Sequence, residues 1–333
     1  MKLFFCVSTL FFLSFESISN ARLFPKGLSM DRDVLFLQQE FHNQAVMRLH
    51  DQAELRRHAK QLLAQAKAHF VDAQKAVGGV EGFRLSIKLS ADALAVQIGE
   101  TPALSVKRQA AALLCQADSY FALSIRTADE EENLTRAIEY AEKALAVQDG
   151  ETLALSVENQ AGALFTQADS YFSLALLGVD KEKNFERAME YAEKALAVQD
   201  GEIPVLVVER RAKALFVLSN GYHQLAVRTI NAVTEYERVV EFAEKALAVR
   251  RGETPVLSVG NQALALYLQA DSHFYLARLG VDKEKNLKRA IECAGKVLAV
   301  RHGEIPALPV QYHEGALFIQ TQSQRKLSSL PPS

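Results

Sequence analysis

The chain has no tryptophan, only 3 cysteines and only 8 prolines in 333 residues. Two of the cysteines, Cys115 and Cys293, sit at unrelated places in the sequence. A disulfide needs Cα atoms within about 7 Å, so the two are expected as separate small buried hydrophobes. Scarce proline fits long uninterrupted helices. Neither charge sign dominates: the formal net charge is -2, which excludes a broad basic face for nucleic acid or anionic lipid. Beyond residue 15 no apolar run approaches the ~20 residues that a membrane-spanning helix needs, so no stable membrane insertion is expected. Charged residues at 23% and hydrophobic ones at 49% suit a folded chain rich in Ala and Leu, which favour helix.

The first residues, "MKLFFCVSTLFFLSFESISNARLF", place Lys2 before an apolar run, Leu3–Phe15, followed by small residues. That layout predicts a secretory signal peptide over 1–21, which would take Cys6 with it, and a chain exported to a secreted or periplasmic location.

A ten-residue stretch, "EKALAVQDGE", occurs at Glu142–Glu151 and again at Glu193–Glu202, with a near copy at Glu244–Glu253. The "AV" within it recurs at Ala95, Ala146, Ala197, Ala248 and Ala299, in steps of 51 residues. The period defines units 48–98, 99–149, 150–200, 201–251 and 252–302, then a half unit, 303–324. A capping helix over 22–47 is expected before them and a disordered tail over 325–333 after them.

Each unit contains two helical patterns. In the unit 150–200, apolar residues keep helical spacing from Leu153 to about Leu177, and again from Phe185 to about Gln199. Gly150, Gly201, Gly252 and Gly303 are expected to end the second helix in the left-handed conformation. Pro102, Pro204, Pro255 and Pro306 are expected at the first position of the next helix, with Thr101 and Thr254 as caps. So short a turn folds successive helices antiparallel. A repeated helix pair buries its apolar faces only by stacking on its neighbours, which predicts an α-solenoid.

These units resemble tetratricopeptide repeats. Ala168 with Tyr171, and Ala188 with Ala195 within "ERAMEYAEKALAV", match that family's first and second helices; Ala117, Tyr120, Ala137 and Ala144 repeat the set. The last full unit keeps Ala270 and Ala290 but has His273 for Tyr and Val297 for Ala. The unit is also longer than the family's 34 residues. The resemblance covers most of 48–324. It implies an all-α, right-handed TPR-like superhelix of stacked antiparallel helix pairs, a scaffold that holds a protein or peptide partner on the concave face of its first helices.

On that geometry one column of first-helix positions faces the groove: Lys67, Asp118, Asp169, Asn220, Asp271 and Gln322. A neighbouring column reads Phe70, Phe121, Phe172, His223 and Phe274. Asp118, Phe121, Asp169, Phe172, Asn220, His223, Asp271 and Phe274 are therefore the expected partner-binding residues, with carboxylates favouring a basic or amide-rich ligand. The columns equally fit a buried aromatic stripe beside a solvated acidic one.

Other motifs carry less. "ADEEEN" (Ala128–Asn133) reads as a solvated acidic loop, and "NLT" (Asn133–Thr135) is a glycosylation sequon, relevant only in a eukaryotic secretory pathway. His42, His50 and His58 are too widely spaced for a metal face. "VGGVEG" (Val77–Gly82) lacks the strand that precedes a phosphate loop. Ser119, Ser170 and Ser272 recur beside Asp with no placed His. No metal, cofactor or catalytic group is expected, and repetition suits binding better than catalysis. An alternative from another class is an exported glycan- or polymer-binding accessory protein or enzyme built on the solenoid.

Overall fold

A computed structural model describes residues 32–75, 79–200, 203–230, 232–302, 305–306 and 308–330. The expected signal peptide, residues 1–21, lies outside them, as do the helix-ending roles expected of Gly201 and Gly303. The chain divides into two compact units, 1–54 and 55–333. The first described element, α1 (Arg32–Lys75), is one helix of 44 residues. No break falls at 47/48, where the expected capping helix was to end. Residues 32–75 contain no Gly and no Pro, so nothing in the chain stops a helix there.

After α2 (Val80–Ala95) the elements repeat. First helices are α3 (Val106–Ser124), α5 (Val157–Leu176), α7 (Val208–Ala226), α9 (Val259–Arg278) and α11 (Val310–Ser328). Second helices are α4 (Glu130–Ala146), α6 (Lys181–Ala197), α8 (Val233–Ala248) and α10 (Lys283–Ala299). Each first helix starts 51 residues after the previous one. Each packs on the second helix of the unit before and on neighbouring first helices, and all but α11 pack on the second helix of their own unit. The described residues thus form an α-solenoid of stacked antiparallel helix pairs.

The turn between units differs from the expected stop and start. Residues after each second helix are extended, and a pair of two-residue strands forms: Gln148 opposite Leu153 and Asp149 opposite Thr152, with the same register in the other units. Gly150 is the first loop residue, at φ 71°, a conformation that a side chain disfavours. Gly150 therefore reverses the chain four residues past the helix and does not end it. Pro102 and Pro255 lie in the second strands, not at a helix start. The next helix is capped three residues later: Ser156 Oγ accepts from Asn159 N at 3.4 Å, and Ser258 Oγ from Asn261 N at 3.3 Å. The Gln160 and Gln262 amides donate back to the carbonyls of Leu155 and Leu257. A serine oxygen offers the first helical N–H groups the acceptor they lack.

Within units three and five the first helix ends at Gly178 and Gly280. There the N–H of the following Val bonds back to the carbonyl five residues earlier, closing a Schellman motif. Asn184 and Asn286 then donate to the Val179 and Val281 carbonyls at 2.8 Å, so "GVDKEKN" is the same loop twice. In unit two Asn133 is buried and its amide donates to Thr127 Oγ1. The sequon asparagine thus helps to close its own loop.

Alanines at 0% exposure, among them Ala110, Ala161, Ala212 and Ala263, let the helices approach closely. Between the two helices of a unit the packing is aromatic. Tyr120 stacks on Tyr140, Tyr171 on Tyr191 and Tyr222 on Phe242, with ring centroids 5.4–5.6 Å apart. An arginine lies against the first ring of each pair (Arg136, Arg187, Arg238) and a lysine against the second (Lys143, Lys194, Lys245). Each ring pair joins the two helices of one unit, and the flanking cations add attraction to the ring faces. Cys115 and Cys293 are buried and unbridged. The helix α11 continues through 325–328, the start of the expected disordered tail, because the chain meets no proline until Pro331.

Candidate functional site

The first helices bring three of the eight expected residues to one place. A cavity of about 410 Å³ opens where α1, α3, α5 and α7 pass one another, with Asp118, Phe121 and Asp169 in its wall. Phe70, Phe165 and Ile125 supply more apolar surface, and Ile125 is 62% exposed.

The carboxylates there are not free. Asp118 accepts from Thr166 Oγ1 at 2.8 Å and from Arg210 Nη2 at 3.3 Å. Asp169, whose side chain is 2% exposed, accepts from Lys213 Nζ at 2.5 Å through Oδ2. Its Oδ1 is buried with no partner among the described residues. Burial pushes the Asp169 carboxyl above the ordinary range, and Lys213 opposes that shift. The same cations also lie over rings: Lys213 is 5.4 Å from the Phe121 centroid and Arg210 is 5.7 Å from that of Phe165.

Arg210 reaches Asp118 from two units away, past α5. Gly162 makes room for it, since a Cβ there would lie 2.6 Å from Arg210 Nη1. The residues missed in the sequence were therefore Arg210 and Lys213. The available signal was that unit four alone reads "ERRAK" where its neighbours read "ENQAG" and "GNQAL".

Arg126 shares the cavity. Its guanidinium donates to the Ala122 carbonyl and lies 4.9 Å from the Phe83 centroid, with no carboxylate partner among the described residues. The walls thus offer neutralised acids and one uncompensated cation, not the acidic surface that favoured a basic ligand.

The other five expected residues lie elsewhere. His223 Nε2 and Asp271 Oδ2 are 2.8 Å apart, linking α7 to α9, and His223 Nδ1 is buried without a partner. Phe172 packs edge-on against Phe185 and Phe216, and Phe274 against Phe318, so both belong to the interior. Asn220 is buried.

Among the described residues no group of three or more His, Cys, Asp and Glu side chains is placed to hold a metal, and no helix is long and apolar enough to cross a membrane.

No model of a known protein family matches the chain, and no curated protein does. Among solved structures it is similar to that of the S. pombe nuclear import adaptor Nro1, with 12% identity and a TM-score of 0.44, over 83% of this chain and 96% of that one. The expected export through a secretory signal peptide differs from the nuclear-import role named for that protein, rests on residues outside the described ones, and is not carried further. The chain is assigned neither a secreted nor a periplasmic location.

Proposed function

We propose that this chain is a non-catalytic protein-binding scaffold, a solenoid of tetratricopeptide type and right-handed sense. It holds a peptide or protein partner on the first-helix face. The observation that carries the reading is the cavity of about 410 Å³ shared by four successive first helices, in which aromatic rings alternate with held charges. Asp118, Phe121 and Asp169 form its wall, and a partner's apolar side chain seats between Phe121 and Ile125. The Arg210 and Lys213 pairs hold the walls in place before the partner arrives, which lowers the ordering cost of association. Phe172, Asn220, His223, Asp271 and Phe274 support the same face by packing the helices that present it.

The test is site-specific photocrosslinking in cells, with a benzophenone side chain at Ile125 and, as control, at Glu139 on the exposed face of α4. Protein adducts formed at 125 and absent at 139 support the reading. Equal labelling at both, or none at 125, overturns it.

A further inference from the structure

The aromatic pairs that join the two helices of a unit stop at the fifth full unit. Where units two to four carry Tyr120/Tyr140, Tyr171/Tyr191 and Tyr222/Phe242, unit five carries His273 and Cys293. The flanking cations are still present, at the same spacing: Arg289 and Lys296. In place of the rings a cavity of about 370 Å³ opens among α8, α9 and α10, walled by both cations, by His273 and Cys293, and by Glu244.

The neighbouring unit defines what the cavity lacks. In unit four the Tyr222 hydroxyl donates to Glu193 at 3.1 Å and accepts from Arg238. Glu244 stands 51 residues after Glu193, and Arg289 stands 51 after Arg238. With no ring to lie on, Arg289 turns to Glu292 at 3.0 Å, which also holds Lys296 at 2.8 Å. Glu244 has neither hydrogen bond nor ion pair among the described residues. The His273 ring is drawn aside by Asn286, whose Oδ1 lies 2.7 Å from Nδ1. Burial holds His273 below its ordinary value, so it is neutral and adds no charge to the cavity. Burial also pushes the Cys293 thiol up to about 11, so it serves as an apolar wall and not as a nucleophile.

We infer that this cavity is a binding site for a phenolic ring, which inserts between Arg289 and Lys296 and donates its hydroxyl to Glu244, completing the ladder that units two to four build from their own side chains. Its size suits one substituted ring. Cations above an aromatic face, with a carboxylate at the hydroxyl, favour phenol over a plain aliphatic group. The site lies between the two helices of one unit, with His273 on the first helix α9 and Glu244, Arg289, Cys293 and Lys296 on second helices, and it shares no residue with the cavity lined by Asp118, Phe121 and Asp169.

The experiment uses the full chain and ligand-observed NMR titration with N-acetyltyrosinamide, N-acetylphenylalaninamide and N-acetylleucinamide. The tyrosine probe is expected to bind about tenfold more tightly than the phenylalanine one, a ratio equivalent to one charge-assisted hydrogen bond, and the leucine probe not at all. Glu244→Gln should remove most of the tyrosine preference while leaving the fold intact. The double variant His273→Tyr, Cys293→Tyr copies unit three, which already combines Tyr171 and Tyr191 with Asn184, and should abolish binding and raise the melting temperature. Titrations with p-cresol and with the peptide Gly-Tyr-Gly separate the sources: binding of p-cresol indicates a small phenol, and binding of the peptide alone indicates a tyrosine on a partner chain. Tyrosine binding no tighter than leucine binding overturns the inference, as does unchanged binding in the filled variant. Should the double variant misfold, an unchanged tyrosine preference in Glu244→Gln overturns it equally.

Discussion

Removing Lys213 isolates the most deeply buried carboxylate of the first-helix face. In the native chain Lys213 is 36% exposed and Asp169 is 2% exposed, so the lysine reaches inward while its partner stays in the interior. Lys213→Met keeps the apolar stem and deletes only the charge. Asp169 is then left with one oxygen unpartnered already and the other newly so. A carboxylate in that position takes up a proton on folding rather than remain ionised. The cost has a ceiling, the free energy of protonating an ordinary aspartate, about 1.4 kcal/mol for every pH unit above its unfolded value. With that value at 3.8, the ceiling is about 4 kcal/mol at pH 7 and about 1.5 kcal/mol at pH 5. The sign follows from linkage. A carboxyl whose folded value lies above its unfolded value contributes stability below the unfolded value and loses it as pH rises through the folded one. The deficit of the variant, read from urea unfolding followed by circular dichroism, should therefore grow from pH 5 to pH 7. Adding Asp169→Asn should recover most of it, because an uncharged pair leaves no isolated charge. A deficit equal at both pH values, or no recovery in the double variant, refutes the role given to the pair.

Two further substitutions check the turn between units. Gly150→Val should cost about 1–2 kcal/mol in urea unfolding, since Gly150 sits at φ 71° with open space around it; an unchanged midpoint would mean that the turn does not need that conformation. Ser258→Ala should cost about 1 kcal/mol and Thr254→Ala much less, because Ser258, not Thr254, accepts from the helix N-terminus; the reverse order would restore the proline-led start.

The sequence alone determined the helix-pair array, its register and its 51-residue step. Those are local properties: apolar spacing, glycines at fixed intervals, and alanines that permit close packing, each repeated often enough to be recognised. It also held the marks of both special places, in the "ERRAK" of unit four and in His273 and Cys293 where rings were due. What lay beyond it was which member of a repeated column meets solvent. Asp118 and Asp169 read as free acids, yet they are neutralised by Arg210 and Lys213, which come from 92 and 44 residues away. Phe121 and Phe172 are equivalent in sequence, yet one lines a cavity and the other fills the interior. A periodic pattern specifies which helix face turns toward its neighbours. How closely two neighbours approach depends on side chains brought together only when the chain stacks, so the charge and depth of the cavities are properties of the tertiary structure.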